Sequence, residues 1–122
     1  MGFPRAALGE MTCGALPGNL PAAGADQLER DVQAKAKLIL EAPASTNLRV
    51  LVMASRRDLR EKHAEIDKAT LDHYLLWVTC QAISTDDTLA ATQKFDEYSN
   101  LYRLMTEPIA RGGAGQSLAR AG

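Results

Sequence analysis

The sequence predicts an all-α fold: an antiparallel helical bundle built on one long central helix, with two shorter helices and flexible Gly/Pro/Ala-rich termini, three or four helices in all. Three observations predict it. Residues 45–83 contain neither Gly nor Pro. Apolar residues recur at helical spacing within this stretch and on both sides of it. Gly and Pro gather at the ends: five of nine Gly and three of five Pro precede Asp26, and the other four Gly follow Pro108. The division that results is an N-terminal arm, 1–25, a helical domain, 26–108, and a C-terminal tail, 109–122.

A chain of 122 residues is one domain at most. Its helical part buries only roughly 60–65% of the surface it exposes unfolded. A core that small favours support from a partner or from self-association. The arms bury too little apolar surface to offset the entropy of ordering them.

The first helix starts at Asp26, which can cap free N–H groups, with Glu29 three residues on. Leu28, Val32, Ala36 and Ile39 form its one apolar stripe. Pro43 disfavours helical geometry at Ala42, so the helix stops near Glu41. The link Pro43–Thr46 is short enough to make the next helix an antiparallel neighbour, capped by Ser45 or Asn47.

The long segment carries the stripe Leu48, Val52, Ser55, Leu59, Lys62, Ile66, Ala69, His73, Trp77 and Cys80, alternating four and three. The preferred reading is one continuous helix, roughly 60 Å long at about 1.5 Å per residue. Its waist is charged, and Asp58 and Lys62 stand at the favourable i,i+4 spacing. The competing reading turns the chain near Glu61–Ala64, although no Gly, Pro or Asn marks a turn there. Ser84 or Thr85 then caps a last helix running to about Glu107, with Asp86 and Asp87 at its positive end. That helix has the stripe Ala91, Phe95, Tyr98, Tyr102 and Met105, with Leu101 beside it. Trp77 and Tyr74 are expected to bury against its aromatics.

Net charge is -1, so no global field draws the chain to nucleic acid or anionic lipid. No apolar run reaches the 18 or so residues that span a bilayer, so no direct membrane span is expected. Met1-Gly2 opens like a myristoylation signal, but Ala6 stands where the motif needs Ser or Thr. Pro17, Gly18 and Pro21 interrupt any secretory apolar region. Ala23-Gly24-Ala25 has the small-x-small form of a processing site, which would place the chain in an organelle or lumen. Localisation stays unassigned. Cys13 lies in the arm and Cys80 in an apolar helix. They are read as free thiols, with one bridge as the alternative, and they form no metal or redox motif.

No catalytic, metal or cofactor site emerges, and the chain is not expected to be an enzyme. His63 lacks the second His at i+4 that a zinc helix carries. His73 and Cys80 lie two turns apart, too far for a nucleophile–base pair. Asp86, Asp87, Asp96 and Glu97 do not alternate as in a calcium loop. Arg49, Arg56, Arg57, Arg60 and Lys62 form a basic cluster within which Arg49, Arg56 and Arg60 come near one side of the helix. This cluster is the candidate partner-binding surface, facing acidic groups of a protein. On that reading, reversing Arg56 and Arg60 to Glu weakens docking and leaves folding almost unchanged.

Leu48-Arg49, eight residues, then Asp58-Leu59 is similar to the second helix of Q-type extrinsic subunits of photosystem II. The order of flexible arm, helices with short links and a final aromatic-bearing helix is similar too. The resemblance implies a lumenal subunit of a photosynthetic complex. The leading expectation is broader: a non-enzymatic helical accessory or structural subunit that docks on a larger protein assembly. A small helical nucleic-acid-binding regulator using Arg49–Lys62 is the alternative from another class, and a bundle that binds a hydrophobic ligand is a third.

Overall fold

The stripe at Leu28, Val32, Ala36 and Ile39 is the inward face of the first helix. In the computed structural model, which describes residues 13–18, 20 and 25–109, helix α1 spans Ala25–Leu40 and buries those four side chains. It stops before Pro43. Helix α2, Leu48–Lys62, starts at Asn47, whose side-chain oxygen accepts from the Val50 N–H at 3.2 Å. Both ends of this connection fall where the cap chemistry puts them.

The single long helix is corrected. The chain leaves helical geometry after Lys62, and a third helix, α3, spans Lys68–Ser84. Asp67 caps α3, its carboxylate accepting from the Thr70 N–H at 3.2 Å. Ile66 just before the cap and Leu71 four residues after it are both buried in the core cluster. These are the positions of a hydrophobic staple, which sets the angle at which a chain enters a helix. The turn therefore needs no Gly: an Asp cap and two flanking apolar residues supply it.

The break also resets the helical phase. Before it, Val52, Ser55 and Leu59 are buried as the uninterrupted stripe requires. After it, Ala69 and His73 are exposed, and the inward residues are Leu71, Tyr74, Leu75, Cys80 and Ile83. Helix α3 packs against α1, α2 and the last helix, α4 (Ala91–Thr106). It is accordingly apolar nearly all round, as a helix with neighbours on most sides is. Leu75 is 0% exposed. Leu75→Ala should cost about 2–5 kcal/mol in urea denaturation, the usual range for a buried Leu truncation. A loss below about 1 kcal/mol would mean that α3 is not the centre of the core.

Helix α4 begins later than the Ser84/Thr85 cap would place it. Asp86 accepts from the N–H and hydroxyl of Thr88, so it closes a side-chain turn instead of capping a helix. Gln93 then accepts the Ala90 N–H at 2.8 Å, and α4 starts at Ala91. Its buried face is Leu101, Leu104 and Met105, one position round from the aromatic stripe. Phe95 and Tyr102 are 40% and 50% exposed. Tyr98 and Tyr102 stack on each other with ring centroids 6.0 Å apart. Small bundles close with Leu and Met, and here the aromatics are left over.

Successive helices run antiparallel, as four pairs of contacts require. Lys35 of α1 meets Asp58 of α2 at 2.7 Å, and Asp31 meets His63 at 2.7 Å. Arg60 near the end of α2 meets Asp72 near the start of α3. Lys94 at the start of α4 donates to the Ser84 carbonyl at the end of α3. Among the described residues the all-α bundle has four helices, and none of them is long and apolar enough to cross a membrane.

The N-terminal arm is corrected in part. Cys13 and Cys80 form a disulfide, with Cα atoms 5.8 Å apart, so neither is a free thiol. The Trp77 indole N–H donates to the Gly14 carbonyl at 3.1 Å. Pro17 is buried and Leu20 packs on the core. Trp77 is thus half-buried, with the arm as a hydrogen-bonded neighbour. Burying a Trp side chain usually requires an acceptor for its N–H, and the strap supplies one. The mobility expected of residues 1–12, 19, 21–24 and 110–122 concerns positions outside the described residues.

Candidate docking surface

The basic cluster on α2 divides once the helices pack. Arg56 is 3% exposed. Its guanidinium grips Asp72 with two nitrogens, at 3.1 and 2.8 Å. Its third nitrogen donates to the Leu104 and Glu107 carbonyls at 2.7 and 2.8 Å. Those carbonyls belong to the end of α4, where C=O groups have no partner within the helix. One side chain therefore ties α2 to α3 and caps α4. A planar guanidinium with five donors suits this task, and an ammonium could not make the same fork. Arg56 is not available to a partner, which corrects the expectation that it faces one.

The other members of the cluster go separate ways. Arg49 pairs with Glu107. Lys62 reaches Asp58 at 3.5 Å, the i,i+4 pair legible in the sequence. Arg57 is exposed and makes no ion pair among the described residues. Arg60 places one nitrogen on Asp72 at 2.8 Å, and its Nε is buried with no acceptor among the described residues.

Two further acids tie α1 to α2. The hydrogen bond from His63 is the main cause holding the Asp31 carboxyl below its ordinary value of 3.8, with burial opposing it. The Lys35 ammonium does the same for Asp58. A carboxylate whose pKa is lowered by folding contributes stability that is complete above its unfolded value. That contribution is lost as pH falls through the lower, folded value. Asp31→Asn and Asp58→Asn should each cost about 1 kcal/mol or less near neutral pH. Urea midpoints should show the gap from wild type closing as pH drops below the carboxylate range. A gap that persists at about pH 2 would contradict the assignment.

Between α3 and α4 lies an open groove of 580 Å³. Ala69, Leu76, Tyr102 and Met105 give it apolar walls, and Arg60, Lys68 and His73 line it beside Asp72. Half-buried Tyr98 and exposed Phe95 continue the aromatic ridge of α4 beyond Tyr102. An exposed Tyr and a partly exposed Arg beside a groove floored by a buried Met are the composition of protein–protein hot spots. The sequence singled out Arg60 and read Met105 as core, which it is, but it also read the exposed Tyr102 as core and gave Lys68 no assignment. His73 and Cys80 do not pair: His73 faces the groove, and Cys80 is held in the disulfide. Among the described residues no group of three or more His, Cys, Asp and Glu side chains could hold a metal ion.

No family model, curated protein or solved structure matches the chain. The similarity of Leu48-Arg49 and Asp58-Leu59 to a photosystem II subunit therefore stands on those residues alone.

Proposed function

We propose that this chain is a non-enzymatic helical accessory subunit that docks on a larger protein assembly through the α3–α4 groove. The observation that carries this reading is the aromatic ridge of α4. A bundle with few aromatic residues leaves Tyr102 in solvent at a groove with apolar walls, and Phe95 in solvent farther along the same helix. Exposed apolar surface rimmed by polar groups marks a place where something else packs. The disulfide adds a setting. A bridge between Cys13 and Cys80 suits an oxidising compartment such as a lumen, a periplasm or the cell exterior.

The docking surface moves from the α2 face to the α3–α4 face. On α2, Arg49, Arg56, Arg60 and Lys62 each meet an acid of the same chain. That leaves little free positive charge to offer a phosphate backbone, whose binding needs many unpaired cations. It also leaves little for an acidic protein on that side.

A photo-crosslinking residue placed at Tyr102 in the full chain, expressed in its native source, tests the reading. One dominant protein adduct is expected from position 102 and none from position 57. Adducts from position 57 alone, or from neither, would contradict it.

A further inference from the structure

The groove contains more positive charge than its own acids use. Arg56 and Arg60 share one carboxylate, Asp72, and Arg56 alone occupies both of its oxygens. Glu107, the other acid at the groove, is engaged by Arg49. Lys68 at the groove makes no ion pair among the described residues. Arg60 is the surplus partner. Its side chain is 23% exposed where that of Arg56 is 2%, and its Nε is buried without an acceptor. A buried donor left unpaired costs free energy and calls for an explanation. Its position at the end of an apolar groove supplies one.

We infer that the α3–α4 groove recognises an acidic, apolar peptide segment of the partner protein. A partner carboxylate is held between Arg60 and Lys68, and the neighbouring apolar side chains lie on Leu76, Tyr102 and Met105. The inference rests on the docking reading above and names the chemistry of the occupant. Arg60 can turn its Nε and a terminal nitrogen toward the groove, because Asp72 remains satisfied by Arg56. Such a fork takes a carboxylate through two parallel bonds. Lys68 adds a second, mobile cation. The aromatic ridge from Tyr102 to Phe95 spans about 10 Å, seven residues at 1.5 Å each, enough for two turns of a helical ligand. A segment of that kind carries apolar anchors at i, i+3 or i+4 and i+7, with Asp or Glu at one end.

The test uses the purified, oxidised full chain and a display library of random twelve-residue peptides. Enriched peptides should carry at least one Asp or Glu beside Leu, Phe, Tyr or Met. Synthetic copies should bind about tenfold or more weakly to Arg60→Gln and to Lys68→Gln, the loss of one charged contact, and equally well to Arg57→Gln. Lys68 is exposed, so its variant reads binding even where Arg60→Gln alters the local fold. Enriched peptides without acids, or binding indifferent to Arg60 and Lys68, would overturn the acidic occupant. If Tyr102→Ala still abolished that binding, docking at the groove would survive and only its charge chemistry would fail. No enrichment over the Tyr102→Ala protein would remove both.

Discussion

Arg56→Ala should cost about 3–5 kcal/mol, the range for removing one partner of a buried ion pair. The change strips two bonds from Asp72 and leaves the Leu104 and Glu107 carbonyls without their donor. A domain this small has about 5–15 kcal/mol in total, and the lower end suits its size. At that lower end the variant keeps about 0–2 kcal/mol, so up to about half of it should be unfolded at room temperature. Arg57→Ala, one residue away and exposed, should stay within about 0.5 kcal/mol of wild type. Urea denaturation of the two variants makes the comparison. If they lose the same amount, Arg56 is not the joint between α2, α3 and α4. The earlier expectation, that reversing Arg56 and Arg60 together leaves folding intact, is replaced: Arg56→Glu puts a second carboxylate beside Asp72 and should unfold the chain.

Reducing the Cys13–Cys80 bridge should cost a similar amount. The bridge spans a sequence separation of 67. The chain-entropy account gives about 4 kcal/mol for a loop of that length. Most of the effect arises in the unfolded chain, which regains the freedom that the bridge removes. Reduction should also free the strap from Trp77, whose N–H then loses the Gly14 carbonyl. Trp77 is the single Trp, so its emission reports the strap directly. A red shift on adding a thiol reductant, together with a lower urea midpoint, is the expected result. Unchanged emission and an unchanged midpoint would show that the strap contributes nothing to the bundle. The Cys80→Ser and Cys13→Ser variants should reproduce the reduced state.

How far the structure could be read from the residues depended on the distance over which each signal acts. Helix α1 was legible except at its start, where Asp26 lies within the first turn instead of capping it. Its stripe, its stop before Pro43 and the Asn47 cap are local rules, and each held. The turn at residues 63–67 is the competing reading, near Glu61–Ala64, and it was set second because the heptad-like stripe runs straight through it. Ile66, Asp67, Thr70 and Leu71 encode that turn, and a search for an Asp cap between apolar flanks would have found it. With the continuous helix preferred, Ala69 and His73 were placed inward and are exposed, while Tyr74 and Cys80 are buried as expected. The aromatic face of α4 was misread for a different reason. Hydrophobicity says which side chains prefer burial, but a bundle with Leu and Met enough to close does not need them all.

Contacts between distant residues were beyond the sequence. The disulfide joins an arm to a helix across most of the domain, and although two cysteines allow one pairing, nothing local shows that the arm reaches Cys80. Arg56 and Arg60 look alike on a helix wheel. Only the approach of Asp72 and the end of α4 makes one structural and leaves the other unpaired at Nε. The candidate groove depends on the same tertiary placement, since its lining comes from α2, α3 and α4 together.

Everything assigned to the groove requires that Asp72 belong to Arg56 and leave Arg60 free to turn. Paired double-mutant cycles measure that directly, with Arg56→Gln and Arg60→Gln each combined with Asp72→Asn. The Arg56–Asp72 coupling should be about 2–3 kcal/mol, at the upper end for buried pairs in contact, and the Arg60–Asp72 coupling about 1 kcal/mol or less. Equal couplings, or a larger one for Arg60, would mean that Arg60 is committed to the core, and the groove would then lack the cation that its proposed ligand needs.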